Sequence, residues 1–304
     1  MSFPIPQTFD HSMTDTFRDC PRKYFLSFIR RWETETEPIY FTSGRAWGEG
    51  LQEFHSQRSR GVSLSGALTL AQIKMTEEFV RSGFPLGIPP RDPKTLSRLL
   101  LNYSSQYSNT EQWHWRASEI GFQFPLPGLP DIYLGGSLDG YIHWPSYGAL
   151  PFEAKTTIGY INEQTMGMWR LSWQPSFYCW AISQISEEEV FGCLFDLTCL
   201  KSVKNTPVHA RFLEKRNGET LRVFETNVRA LISDILFEHE RNIWLPLGRF
   251  CSGGYGLKKC PFHSLCCSLE SRGSSPLLDP DLPPPPGLVQ AEPWAPWARW
   301  GNCD

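Results

Sequence analysis

Apolar positions recur at helical spacing through the first third of the chain. Met13, Phe17, Tyr24, Phe25 and Phe28 are interleaved with Arg18, Arg22, Lys23, Arg30 and Arg31. This predicts a helix over 12–30 with Ser12 as N-cap, restarted at Pro21 because proline is tolerated only in a first turn. Further helices are expected over 43–57 and 64–81. A fourth follows Pro93, where Leu96, Leu99, Leu100 and Tyr103 share one face. The pattern then turns to alternation. Residues 113–124, 132–144 with a bend at Gly135-Gly136, and 148–156 read as strands joined by turns. An aromatic-rich helix over 162–183 carries Trp169, Trp173, Phe177 and Trp180. It is followed by strands over 190–200 and 207–213 and a long helix over 219–244.

Beyond Cys267 the sequence becomes Ser- and Pro-rich, with a proline run at 283–286 and tryptophans within 291–300. Such a tail cannot build its own core and is expected to be extended or disordered, with docking on a partner as the competing reading. The expected organisation is an N-terminal helical region (1–110), a core (111–245), a Cys-rich segment (246–270) and the tail (271–304).

The 304 residues suit two domains or one elaborated α/β domain. With 40% hydrophobic and 20% charged residues, wholesale disorder is excluded. A net charge of −3 excludes a uniformly basic coat but not a local basic groove. The N-terminal residues show no basic region followed by an apolar one, and no run of 18 apolar residues follows. The expectation is a soluble protein with no membrane partner, cytoplasmic or otherwise intracellular, of cell or virus. The chain lacks a Gly-x-Ser-x-Gly elbow and a matched Cys/His context, so Ser or Cys nucleophile chemistry finds no support.

The candidate chemistry lies in the strands. Asp139 closes Gly136-Ser-Leu-Asp139, and Glu153-Ala-Lys155 follows thirteen intervening residues later. Glu153 and Lys155 share a strand face, and a hairpin would bring Asp139 beside them. Two carboxylates with a nearby cation suit a Mg²⁺ or Mn²⁺ centre for phosphodiester hydrolysis. A Glu-x-Lys pair is also common on a solvated strand, but here it follows the apolar run Ala149-Leu-Pro-Phe152. Gln174 and Tyr178, four apart on a helix, would share a face able to cap the site. Glu119 in the preceding strand reads as a surface carboxylate, with a further acidic group near the site as the alternative, and His55 as an ordinary surface or satisfied histidine.

Nine cysteines, odd in number and unevenly spread, do not suggest a disulfide framework. Cys20 stands 230 residues before Cys251, which is followed by eight residues, Cys260, five residues and Cys266. Four thiolates suit a [4Fe–4S] cluster or zinc, and ordinary thiols remain a third reading. The glycines after Cys251 would let the backbone wrap a cluster closely. His263 is an alternative zinc ligand, and Cys267 an alternative to Cys266. Cys179, Cys193, Cys199 and Cys303 read as ordinary thiols.

The ordered set Gly136-x-x-Asp139, Glu153-Ala-Lys155 and Gln174-x-x-x-Tyr178 resembles the PD-(D/E)XK nuclease superfamily in its RecB-like branch. Cys20-Pro-Arg-Lys-Tyr24 and Gly44-Arg-Ala-Trp47 add to the match, which spans about 14–266. It is nearest to the phage-type and CRISPR-adaptation exonucleases that carry an iron–sulfur cluster. The resemblance implies an α+β fold, a restriction-endonuclease-like mixed sheet flanked by helices with a C-terminal Cys-rich staple. It implies Asp139, Glu153 and the Ala154 carbonyl as metal ligands, Lys155 as catalytic, and Gln174 and Tyr178 as support. Cys20, Cys251, Cys260 and Cys266 would hold a structural cluster. Two departures are that Gly48 stands where the family often places a metal-binding His, and Leu138 where its proline stands.

The expected function is a metal-dependent deoxyribonuclease, an exonuclease on single strands or DNA ends, in recombination, repair or processing, with a helicase or recombinase as a potential partner. The basic first helix and its aromatics would contact phosphates and bases, with a solvated face as the equal alternative. The alternatives are a catalytically silent DNA-binding subunit and a zinc-stapled interaction protein.

Overall fold

The computed structural model describes residues 3–108, 113–186, 188–201, 207–247, 251, 259–270 and 276–298. The glycine-rich stretch 252–258, Cys303 and Trp300 lie outside the described residues. The chain forms two compact units. The first comprises Met1–Thr36, Gln123–Gly136 and Glu225–Pro296, and the second Glu37–Phe122, Ser137–Phe224 and Trp297–Asp304. They interleave the four consecutive segments expected from the sequence.

In the second unit, helices α3 (Ile39–Ser59), α4 (Leu64–Arg81) and α5 (Pro93–Tyr107) precede the sheet. The last two begin where their sequence signals stand. Ser63 Oγ accepts from the Gly66 amide at 3.2 Å, and Asp92 Oδ1 accepts from Thr95 N at 2.9 Å, with Pro93 in the first turn. Strands β3 (His114–Pro125), β4 (Tyr133–Trp144) and β5 (Gly148–Thr157) follow. β4 runs unbroken through Gly135-Gly136, so the expected bend is absent. Helices α6 (Glu163–Gly167) and α7 (Gln174–Ile185) and strands β6 (Gly192–Cys199) and β7 (His209–Lys215) follow, and α8 (Gly218–Arg241) begins in this unit and passes to the first after Phe224. β4 and β5 pair antiparallel, β5 and β6 parallel, and β6 and β7 antiparallel, with β3 against β4. This is a mixed sheet flanked by helices. The parallel pair needs a crossover, which α6 and α7 supply.

The single helix expected over 162–183 is two. Asn162 caps α6 in a reciprocal capping box, and Pro175 can sit only in the first turn of α7, so 168–173 becomes a turn. The main core joins Trp47, Leu51 and Phe54 of α3 and Ala71, Met75 and Phe79 of α4 to Leu96, Leu100 and Tyr103 of α5 and to Phe152 and Leu194 of the sheet. Phe152 and Ala154 face this core. The strand period of two therefore turns Glu153 and Lys155 to the other face. His55 is 2% exposed within the core, and its Nε2 lies 2.9 Å from the Tyr103 hydroxyl. Burial pulls its pKa well below the ordinary value.

In the first unit, β1 (Thr8–Phe9) pairs parallel with Tyr133 and Leu134. The expected first helix is α1 (His11–Asp19), α2 (Pro21–Tyr24) and a π turn over Phe25–Ile29. The cap is Asp10 rather than Ser12. Its Oδ1 accepts from Met13 N at 2.8 Å, a contact worth about 1 kcal/mol. The cationic side chains of this region are largely engaged within the protein. Arg18 pairs with Asp15, Arg22 Nε donates to the Trp244 carbonyl at 3.1 Å, and buried Arg30 donates to the carbonyls of Asp279 and Leu282. Tyr24 and Phe25 are buried with Trp244. Part of this basic segment is thus engaged inside the protein, while the Arg18 side chain remains 43% exposed.

The tail is also corrected. Strand β8 (Leu288–Gln290) pairs antiparallel with β2 (Trp32–Thr34), and Trp294 Nε1 donates to Asp10 Oδ2 at 2.9 Å. Arg30 supplies what the proline-rich segment lacks, a buried donor for carbonyls that no ladder satisfies.

Candidate active site and the cysteine set

Pairing of β4 with β5 runs from Trp144↔Gly148 to Gly140↔Phe152, after which β5 continues along β6 to Thr157↔Cys199. Asp139, Glu153 and Lys155 lie where the two strands part. Asp139 Oδ2 accepts from the Ala154 amide at 2.9 Å, which fixes its carboxylate against β5.

Glu153 is 3% exposed. Its Oε1 accepts from Gln174 Nε2 at 2.9 Å and pairs with the Lys155 ammonium. The same Gln174 Nε2 lies 2.9 Å from the Tyr178 hydroxyl. Glu153, Lys155, Gln174 and Tyr178 thus form one connected group, with Asp139 held beside it on the Ala154 amide. The i, i+4 spacing on α7 presents Gln174 and Tyr178 together, as expected. Glu153 Oε2 is buried and has no hydrogen-bond partner among the described residues. One carboxylate oxygen is pinned and the other is presented, an arrangement that a cation would satisfy.

The electrostatics follow from burial. Glu153 is pushed up to about 8 by burial and by Asp139, against the pull of Lys155 and Gln174. Burial likewise raises Asp139. The Lys155 ammonium is depressed by burial, but Glu153 and Asp139 more than offset this, so it is held charged. Its Nζ sits 5.3 Å from the Trp169 ring centroid, a further contact favouring the cation. Two carboxylates that resist joint ionisation beside one ammonium form a site that an added divalent cation would stabilise.

Gly48 lies beside this group. A Cβ there would stand 4.0 Å from Asp139 Oδ2, with no other heavy atom so near among the described residues. On this side the sequence offers Glu119 as a further acidic group near the site, second to a surface carboxylate, and does not single out Glu49. Glu119 is half-buried rather than a plain surface group, and it is pushed up to about 7 by burial and then by Glu49, with Asp139 adding to the rise. Glu49 is paired with Arg81 at 2.5 Å. The signal for Glu119 was only its place in the strand before the hairpin. Among the described residues, no three His, Cys, Asp or Glu side chains form a ready-made metal cage. A two-carboxylate site leaves the remaining positions to a backbone carbonyl, water and substrate.

In the first unit, Cys20 stands between α1 and α2, with its amide on the Thr16 carbonyl at 2.9 Å. Cys260 N donates to the Cys251 carbonyl at 3.1 Å. Cys266 and Cys267 lie on α9 (His263–Glu270). None of these thiols is in a disulfide. Cys251 is raised by burial and by Cys260, Cys20 and Cys267. Cys266 is pushed up to about 11 by burial against the opposing Arg22, with Cys260 and Cys20 adding to the rise. Among the described residues, no three of Cys20, Cys251, Cys260, Cys266 and His263 are gathered into a metal-holding group, and Cys267 lies close to His263, 3.8 Å from Sγ to Nε2. Cys179, Cys193 and Cys199 are buried elsewhere.

No helix among the described residues is long and apolar enough to cross a membrane. No curated protein matches the sequence. Among solved structures, a Eubacterium rectale protein described as a candidate exonuclease is similar at TM-score 0.44 and 13% identity, covering 84% of this chain and 90% of that one. SSO0001 is similar at TM-score 0.34 and 11% identity, covering 77% of each chain. Likenesses at these scores define neither substrate nor reaction. Residues 9–267 match the PD-(D/E)XK nuclease superfamily, and with the mixed sheet and the carboxylate fork in place, the chain belongs to that superfamily.

Proposed function

We propose that the protein is a divalent-metal-dependent deoxyribonuclease that acts as an exonuclease on single strands or DNA ends. The carrying observation is Glu153, buried, with Oε1 pinned by Gln174 and Lys155 and Oε2 left without a partner beside Asp139. Asp139, Glu153 and the Ala154 carbonyl would hold Mg²⁺ or Mn²⁺. When bound, the ion supplies Lewis-acid activation of water and offsets charge at the phosphorus. Lys155 orients the attacking water and balances negative charge developing on the phosphate, a role suited to an ammonium held charged. Gln174, itself against Tyr178, keeps the Glu153 carboxylate from rotating. A place in DNA recombination or repair, with a helicase or recombinase partner, extends this reading.

We infer a [4Fe–4S] cluster on Cys20, Cys251, Cys260 and Cys266 from their one-plus-three arrangement along the chain and the short link of the Cys260 amide to the Cys251 carbonyl. Its role is structural. Zinc is the competing occupant, favoured by His263 beside Cys267.

The test is end-labelled single-stranded and duplex DNA incubated with anaerobically purified protein in Mg²⁺, Mn²⁺ or chelator, beside Glu153→Ala. Metal-dependent release of labelled ends, lost in the variant, is the expected result. DNA binding without cutting by folded, metal-loaded protein would instead select a silent binding subunit. Gly48 beside Asp139 is the observation that favours that second reading.

A further inference from the structure

Arg216 follows β7 and is 5% exposed, yet it is not part of the carboxylate group. Its guanidinium is fully engaged. Nε donates to Ser176 Oγ at 2.9 Å, and Nη1 donates to Glu214 Oε1 and to the Lys215 carbonyl, both at 2.8 Å. Nη2 donates to the Arg170 carbonyl at 2.8 Å, with the Trp169 and Ser172 carbonyls further off at 3.5 and 3.4 Å. The acceptors on the 168–173 turn are carbonyls that no helix ladder uses, because Pro175 forces α7 to start afresh. A planar fork with five donors can gather such a set, and an ammonium cannot.

This turn is joined to the carboxylate group at two points. Trp169 places its ring 5.3 Å from Lys155 Nζ and stacks on Phe195. At its other end, Ser172 Oγ accepts from the Gln174 amide at 3.2 Å, and Gln174 carries the amide that pins Glu153 Oε1. Ser176, the remaining acceptor, lies two residues further into the same helix.

We propose that Arg216 is a positioning residue for the nuclease reaction: by holding the 168–173 turn it fixes Lys155 through Trp169 and Glu153 through Gln174. This rests on the reading of the carboxylate group as the catalytic site. A displacement of the turn would leave DNA contacts in place while misaligning the group that attacks phosphorus. The loss should therefore fall on kcat rather than KM.

Arg216→Lys keeps the charge and removes the fork. Three measurements decide. In the nuclease assay the variant should lose about 10²-fold in kcat, with KM for DNA changed by less than about threefold. The indole ¹⁵N–H resonance of Trp169, assigned by its disappearance in Trp169→Phe, should shift or broaden while the other resonances and the far-UV circular dichroism stay put. Arg216→Lys with Trp169→Phe should lose less than the product of the two single losses, because both act through one turn. A wild-type kcat, an unmoved Trp169 resonance or independent losses would overturn the proposal. If Arg216→Lys does not fold, Ser176→Ala removes one acceptor and should still lower kcat several-fold with KM held; an unaltered kcat would then overturn it. An inactive wild-type protein would overturn the nuclease reading and the catalytic part of the proposal, and the Trp169 resonance would then decide whether Arg216 holds the turn at all.

Discussion

Asp139, Glu153 and Lys155 come from one hairpin paired from Trp144↔Gly148 to Gly140↔Phe152, whereas Cys20 and Cys251 are separated by 230 residues of chain. The hairpin sets its groups by strand register, so their geometry is complete in the folded chain without any ion. The cysteines come from a helix junction, a turn and a short helix far apart in the chain, and among the described residues they form no ready-made metal cage. The first is a site that a cation completes. The second is a set whose cohesion a bound metal or cluster would itself supply.

Four measurements press on this difference. The largest effect belongs to Glu153→Gln, which keeps the shape and removes the charge. Cleavage should fall by about 10³-fold or more. The melting temperature should hold or rise, since a buried carboxyl that resists ionisation is replaced by a neutral amide. A large drop in melting temperature would mean that the fork depends on its charge to fold. Next, Cys20→Ala should lower iron content and soluble yield together. Full stability of a metal-free Cys20→Ala protein would erase the contrast between the two regions.

The third is a pH dependence. Glu153 keeps its proton in the folded chain to about 8, against an ordinary 4.5. Folding therefore favours the protonated form. That stabilisation is complete below about pH 4.5 and is lost as the pH rises through about 8. The melting temperature of chelator-treated protein should fall across this window, and Glu153→Gln should flatten the fall. An identical slope in the two proteins would assign the dependence to other groups. The smallest effect is Gly48→Ala. With only Asp139 Oδ2 at 4.0 Å, a methyl fits, and replacing a mid-helix glycine should add about 0.5–1 kcal/mol of stability by chemical denaturation. A loss would show that position 48 is less open than its surroundings indicate.

What the sequence made legible follows the range of the interactions involved. Helix α4 spans Leu64–Arg81 as its pattern predicts, because Ser63 and the apolar stripe are local signals. The fork residues were legible because a hairpin and an i, i+4 pair are short-range geometry. The break between α6 and α7 was not read, although Pro175 carries it, because the aromatic spacing ran straight across the proline. Asp10 displaced Ser12 as the cap through a single hydrogen bond, a choice that periodicity does not see. Strands β1, β2 and β8 are two or three residues long and give no period at all. Arg216 was invisible for a deeper reason. Besides Ser176, Glu214 and Lys215, its acceptors are backbone carbonyls more than forty positions away, and backbone carbonyls carry no sequence signature.

The strand that the tail lays along Trp32–Thr34 also bears on how the protein can be handled. A polypeptide cut short at residue 275 would bare a β edge headed by an otherwise buried tryptophan. It would also strip Arg30 of both carbonyl acceptors and leave Asp10 without the Trp294 indole. An unpaired edge beside an unsatisfied guanidinium is a nucleus for self-association. Removing this proline-rich segment is therefore expected to promote self-association, which size-exclusion chromatography of the two chain lengths would read.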